Sequence, residues 1–219
     1  MTVESLTHLD RSTLRERTLE ALRTAITSGQ YRPGDHLREA EVATSLGVSR
    51  GTVRQALRHL QQEGLVSAGD RSMLRVNSFS AEEVRELFRV RAALEGLAAS
   101  QISSSAERTS AAHSLRTALL RLLEAEADFT ARVDADLHFH LLLCQLSNNS
   151  VLVDTWRRLE GRLRVVIMAA GPLRAQPSMS HERYNAIIDT IESGGPSAAV
   201  DAINQHMTIT ADQLAVRAR

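Results

Sequence analysis

The stretch from Gly47 to Gly64 restricts the architecture more than any other part of the chain. Gly47-Val48 reads as a tight turn, Ser49 follows as an N-cap, and Val53, Ala56, Leu57 and Leu60 recur at three- and four-residue spacing. Such a row lies along one side of a helix, and a serine just before it accepts from the unpaired N–H groups of the first turn. The spacing predicts a helix over 50–63 that Gly64 closes. A short helix over 39–46, stopped by Gly47, precedes it. Further upstream, Thr13 and Glu16 have capping-box spacing, and Leu19, Leu22 and Ile26 form the apolar row of a helix that ends at Gly29. Tyr31-Arg32-Pro33-Gly34-Asp35 is a turn, since proline fixes φ and glycine accepts the strained position. Beyond Gly64, Leu65-Val66 and Leu74-Arg75-Val76 are β-prone pieces around a polar tip, which predicts a hairpin.

The remainder is helix after helix. Aromatic residues make up 3% and there are 4 prolines, while Ala, Leu, Arg and Glu abound. Breaks near 103–105, 128, 148–150, 171–177 and 194–196 divide it into about six helices: 80–102, 106–127, 129–146, 150–170, 178–193 and 196–216. Short connections make successive helices antiparallel, as in a bundle. The join at Val76–Phe79 separates a unit over 1–76 from one over 77–219. No internal repeat or low-complexity tract is present.

A chain of 219 residues that is 43% apolar can bury a core in one or two domains. No run approaches the roughly 20 apolar residues of a membrane helix, and MTVESLTHLDRSTLRER lacks the order of a secretory signal. A soluble, cytoplasmic protein with no membrane partner is expected. The one cysteine, Cys144, leaves no intramolecular disulfide and no thiolate-rich zinc module. Net charge is zero, so no global field draws the chain to nucleic acid. The distribution is more informative: residues 1–76 hold 11 Arg against 9 acids, and residues 49–76 hold 5 against 2.

A short helix, a tight turn and a second helix opening on Ser49-Arg50-Gly51-Thr52-Val53-Arg54 make a helix-turn-helix, whose second helix enters the major groove of DNA. The hydroxyls of Ser49 and Thr52, with free N–H groups at that end, suit phosphate. Arg50 and Arg54 lie one turn apart, opposite the apolar row. Either can meet a guanine edge through two hydrogen bonds, which contributes about 1–3 kcal/mol of base discrimination. The hairpin fits a wing, with Arg71 near its tip. Against this stands a plain solvated arginine face, the common fate of a charged helix surface.

The run LREAEVATSLGVSRGTVRQALRHLQQEGLV, Leu37 to Val66, closely resembles the winged helix of GntR-type transcription regulators. That resemblance implies DNA contact by Ser49, Arg50, Thr52 and Arg54. In two places the chain departs from the pattern: Gly51-Thr52 stands where threonine-proline is usual, and Met73 where the wing has glycine. Residues 80–216 resemble the all-helical effector-binding (FCD-type) domain of the fatty-acid-regulator-like branch, through LFRVRAALEGLAA (87–99) and DLHFHLLLCQLSNNSVL (136–152).

Asp136 and His140 are four residues apart on a helix and project from one face. Mixed oxygen and nitrogen donors suit Zn²⁺, Ni²⁺ or Mn²⁺. The resemblance implies two further histidines from the last two helices. His206 matches the second, but the first falls on Tyr184, with His181 one turn earlier. Phenol is a poor ligand at neutral pH, as it titrates near 10. Three outcomes stay open: a site of Asp136, His140, His206 and water; one completed by His181; or no metal, with Tyr184 facing the effector. The resemblance also places Arg91 against a carboxylate effector, while spacing alone allows an ion pair to Glu95. Trp156 and the row Leu152, Leu159, Leu163 and Val166 read as core, His138 as surface, and Arg157, Arg158, Arg162 and Arg164 as a solvated face.

The expected protein is mostly α, an N-terminal winged helix-turn-helix followed by an all-α bundle. It is expected to act as a homodimeric, metabolite-responsive repressor that binds double-stranded operator DNA and answers a small organic acid, because one recognition helix reads too few base pairs alone. The rival reading is a metal-dependent hydrolase or lyase built on Asp136, His140 and His206. No evident base or nucleophile accompanies those residues in the sequence.

Overall fold

A computed structural model of the chain describes residues 13–69, 73–125 and 127–215. Helix α1 (Leu14–Thr27) opens on the Thr13/Glu16 capping box, and α2 (Glu39–Leu46) ends on Gly47 in the left-handed region at φ 63°. Helix α3 (Arg50–Gln62) opens on Ser49, whose Oγ accepts from the Thr52 N–H. Strands β1 (Val66–Ala68) and β2 (Leu74–Val76) pair antiparallel, with Val66 opposite Val76 and Ala68 opposite Leu74. The Gly69 N–H donates to the Met73 carbonyl and closes the strand ends. The turn at 31–36 adds an edge to this hairpin: His36 bridges Arg75, and the Leu37 N–H donates to the Leu74 carbonyl. Leu22, Ile26, Val53, Leu57, Leu60 and Leu65 form the core of this unit.

Seven helices follow: α4 (Ala81–Ser103), α5 (Arg108–Glu124), α6 (Phe129–Leu146), α7 (Ser150–Ala170), α8 (Pro172–Ala175), α9 (His181–Glu192) and α10 (Pro196–Ala215). Three of them start on a side-chain cap. Ser80 and Glu83 form a capping box on α4, Asp128 caps α6, and Asn149 caps α7. Helix α4 packs most extensively against α10, and α6, α7 and α9 close around them over a second core. One helix expected over 178–193 starts later, at His181. Gly171 (φ 76°) and two prolines, Pro172 and Pro177, fold 172–179 into the short α8 and a 3-10 turn instead. Proline is favoured at the first position of a helix and disfavoured inside one, so each starts a new turn.

The two units are not separate bodies joined by a string. Val165 of α7 belongs to the core of the first unit, and Phe79 packs against both cores. Arg162 Nε donates to the Glu63 carbonyl at 3.2 Å, so α7 caps the C-terminus of α3. No helix among the described residues is long and apolar enough to cross a membrane.

Candidate functional site

Two sites emerge, one on the outer face of α3 and one inside the bundle. On α3 the residues Val53, Ala56, Leu57 and Leu60 are buried, which turns Arg50, Gly51, Arg54, Gln55 and Arg58 to solvent. Ser49 and Thr52 are locked together at the N-terminus by a 2.8 Å hydroxyl contact. A side chain at Gly51 would meet nothing closer than Ser49 Oγ at 3.7 Å, so this end of the helix offers an open approach to its N–H groups.

Arg54 is not a free cation. Its guanidinium holds Glu39, at the start of α2, through Nε (2.9 Å) and Nη2 (2.7 Å). The pair lowers the Glu39 pKa through its hydrogen bond to Arg54 and raises that of Arg54. Arg58, one turn further along the same face, was not singled out by its spacing although Arg50, Arg54 and Arg58 mark successive turns. Arg71, expected at the wing tip, lies outside the described residues.

The bundle site draws on five helices. From α4 come Arg91 and Glu95, from α6 Asp136 and His140, from α7 Trp156, from α9 Tyr184, and from α10 His206, all buried. Glu95 is the hub. Its Oε1 accepts from Arg91 Nε at 2.8 Å and from the Trp156 indole N–H at 2.8 Å, and its Oε2 lies 2.5 Å from His140 Nδ1. Burial alone would raise the carboxyl, but the charges and hydrogen bonds of His140 and Arg91 outweigh it and hold the pKa at about 2. The Arg91–Glu95 pair is therefore real, but it sits in the interior and not in solvent.

Tyr184 bridges the other half. Its hydroxyl donates to Asp136 Oδ1 and lies 3.3 Å from His140 Nε2. Burial first, and then the Asp136 charge, raises the phenol well above its ordinary value, so Tyr184 stays protonated. Arg91 Nη2 stands 4.0 Å from Asp136 Oδ2 and is buried without a hydrogen-bond partner. The His206 ring centroid is 5.3 Å from that of His140 and 5.2 Å from that of Tyr184. Burial, reinforced by His140 and Arg183, pushes the His206 pKa well down and keeps the ring neutral.

As arranged, these donors do not fit a divalent ion. His140 has one nitrogen against Glu95 and the other facing the Tyr184 hydroxyl, which also occupies Asp136. His206 Nδ1 is approached by Arg183 Nε at 3.4 Å, and a second guanidinium already stands beside Asp136. No group of three or more His, Cys, Asp or Glu among the described residues is placed to hold a metal. His181 is exposed, against the Asn185 side chain, and is not brought to the cluster. His138 is exposed, as its spacing implied.

Residues 86–208 match the FCD domain, and residues 14–76 match the bacterial regulatory proteins of the gntR family. The chain belongs to the gntR family of regulators with an FCD domain. Among similar proteins, the probable D-xylose utilization operon transcriptional repressor of Paenarthrobacter nicotinovorans is 26% identical, over 91% of this chain and 88% of that one. The regulator LutR of Bacillus subtilis is 28% identical, over 86% of this chain and 95% of its own. A solved GntR transcriptional regulator from Rhodococcus sp. RHA1 superposes with a TM-score of 0.77 at 26% identity, covering 94% of this chain and 99% of that one. This gntR-family chain is a DNA-binding transcription regulator and not an enzyme; the hydrolase or lyase alternative is set aside.

Glu95 and Arg162 do more than their spacing alone implies. Glu95 was noted only as a partner for Arg91, yet it organises the cluster. Arg162 was assigned to a solvated face, yet it docks α7 on α3. For the first, the sequence signal is a glutamate set among apolar residues of α4.

Proposed function

We propose that the chain is a metabolite-responsive repressor acting in the cytoplasm as a homodimer, with residues 1–76 reading operator DNA and residues 77–219 sensing a small organic acid and pairing the protomers. The observation that carries the reading is the exposed basic face of α3, opening at a capped N-terminus with a side-chain-free position at Gly51. Arg50 and Arg54 are the base-reading candidates, Ser49 and Thr52 the phosphate contacts, and Arg71 a wing contact. Two copies are needed because a single recognition helix covers too little sequence for useful specificity.

For sensing, the reading takes the cluster without metal. Tyr184 and Arg91 present the polar atoms an incoming effector meets: a phenol that can exchange its partner, and a guanidinium nitrogen with none. Regulation requires that the effector favour one arrangement of the protomers over another, by no more than its differential affinity for the two. The docking of α7 on α3 supports a route for this, since one face of α7 holds the Glu95 hub and another holds the recognition helix. Capture of genomic fragments on the protein, followed by challenge with small carboxylates, tests it. Enrichment of a defined fragment that an acid releases is expected; no enriched fragment would overturn the regulator reading.

A further inference from the structure

The guanidinium groups around the bundle differ in whether an acid answers them. Arg91 has Glu95 at 2.8 Å and Asp136 at 4.0 Å, and Arg116 on α5 holds Asp189 and Glu192. Arg183 has neither an aspartate nor a glutamate partner among the described residues. Its hydrogen bonds go to the His206 carbonyl (2.8 Å) and, at the long end, to His206 Nδ1 (3.4 Å) and Thr210 Oγ1 (3.5 Å). The Arg183 side chain is partly buried, so its charge is partly withdrawn from water with no carboxylate bonded to it.

Arg183 lines a recess between α9 and α10 of about 240 Å³, together with Glu182, Ala186, Ala202, Gln205, His206 and Ile209. That volume accommodates roughly eight water-sized groups at about 30 Å³ each. Its walls are apolar on Ala186, Ala202 and Ile209 and polar on Arg183, Gln205 and His206. The His206 ring separates the recess from the buried cluster, with Tyr184 and His140 directly behind it. Glu182 is exposed on the rim and makes no ion pair with Arg183.

We infer that Arg183 and His206 form a carboxylate-binding subsite that opens between α9 and α10, where the acid group of a small effector is held while the rest of the molecule bears on the cluster through His206. A planar guanidinium grips a carboxylate through two parallel bonds, and the weak contacts to Nδ1 and Thr210 are the ones it would exchange. Arg91 keeps one nitrogen for another polar atom of the effector, but with two carboxylates beside it the acid group is better placed on Arg183. This deepens the reading of the bundle as an acid sensor and rests on it.

The test uses the full chain and a panel of acetate, pyruvate, succinate and benzoate, each set against its amide, with binding read by calorimetry and by the emission of Trp156, the single tryptophan. At least one acid is expected to bind in the millimolar range or tighter, at least tenfold better than its amide. Arg183→Gln should lose that preference at least tenfold, and Arg183→Lys should retain part of it, which separates lost charge from lost folding. Equal binding of acid and amide, wild-type affinity in Arg183→Gln, or no binding by any acid up to 50 mM at roughly neutral pH would overturn the subsite. Operator binding by the same samples keeps the two readings apart: a protein that recognises DNA but binds acids without regard to Arg183 contradicts only this inference.

Discussion

The indole N–H of Trp156 donates to Glu95 Oε1 at 2.8 Å, and five residues further along α7 the backbone of Gly161 packs under Leu65 of the winged unit. One rigid helix thus touches the buried cluster on one face and the DNA-reading unit on another. Coupling between sites travels through packed elements of this kind, and it is demonstrated only by perturbing the element.

Gly161→Val places that perturbation at the junction. A Cβ at Gly161 would already meet Leu65 Cδ2 at 3.1 Å, and two more methyl groups overpack the contact. Overpacking costs about 1–3 kcal/mol. The variant is expected to become protease-sensitive between 76 and 81 and to lose effector-dependent release of DNA, while the emission of Trp156 stays unchanged. Limited proteolysis and fluorescence on one sample check both.

Glu95→Gln removes the carboxylate that hydrogen-bonds the buried Arg91 and leaves Asp136, 4.0 Å away, as its remaining ion-pair partner. Breaking a buried pair on one side costs about 3–5 kcal/mol where the remaining charge is left uncompensated, and the more distant Asp136 makes the lower end of that range the expectation. A lower urea midpoint is expected in equilibrium unfolding. The same group gives an acid dependence in the wild type. Its folded pKa of about 2 lies below the ordinary 4.5, so its stabilisation is complete above about 4.5 and is lost as pH falls toward 2. His206 acts in the same direction at higher pH. Its folded pKa is depressed below 6.5, so the unfolded chain takes up a proton that the folded one refuses. Unfolding free energy should therefore decline from pH 7 downward in two stages, and a flat profile between 7 and 3 contradicts both assignments.

Tyr184→His exchanges the bridging phenol for an imidazole beside Asp136, His140 and His206. The substitution is expected to create divalent binding, with zinc or nickel retained at about one ion per chain against a near-absent amount in the wild type. Elemental analysis after purification without chelators measures it. Stoichiometric metal in the wild type would contradict the metal-free reading.

Glu39→Gln releases Arg54 from its carboxylate partner. An added free cation on the recognition face should tighten DNA binding and steepen its salt dependence by about one phosphate contact. Anisotropy titrations at several salt concentrations report both. No change in either would mean that Arg54 stays off the duplex.

Much of the order of elements is legible in the sequence because many boundaries carry a local chemical mark: the Thr13/Glu16 and Ser80/Glu83 boxes, the Ser49 cap, and the glycines at 47 and 64. Segment 172–179 is not, since Pro172 and Pro177 each admit a turn or a helix start, and only packing decides. At the bundle site, the four-residue spacing of Asp136 and His140 placed both on one face. That Glu95 and Trp156 join them depends on how α4, α6 and α7 cross, which no local pattern records. Arg183 was overlooked for a related reason. An arginine without an acid partner is recognisable only once its neighbours are known.

The most direct measurement is selection of bound sequences from random duplexes by the wild-type protein and by Arg50→Ala at moderate salt. The wild type is expected to enrich a palindromic pair of half-sites about one or two helical turns apart. Arg50→Ala is expected to enrich no motif, while its circular dichroism and melting match the wild type. Failure of the wild type to enrich any motif, or an unchanged motif in the variant, would contradict DNA recognition by α3.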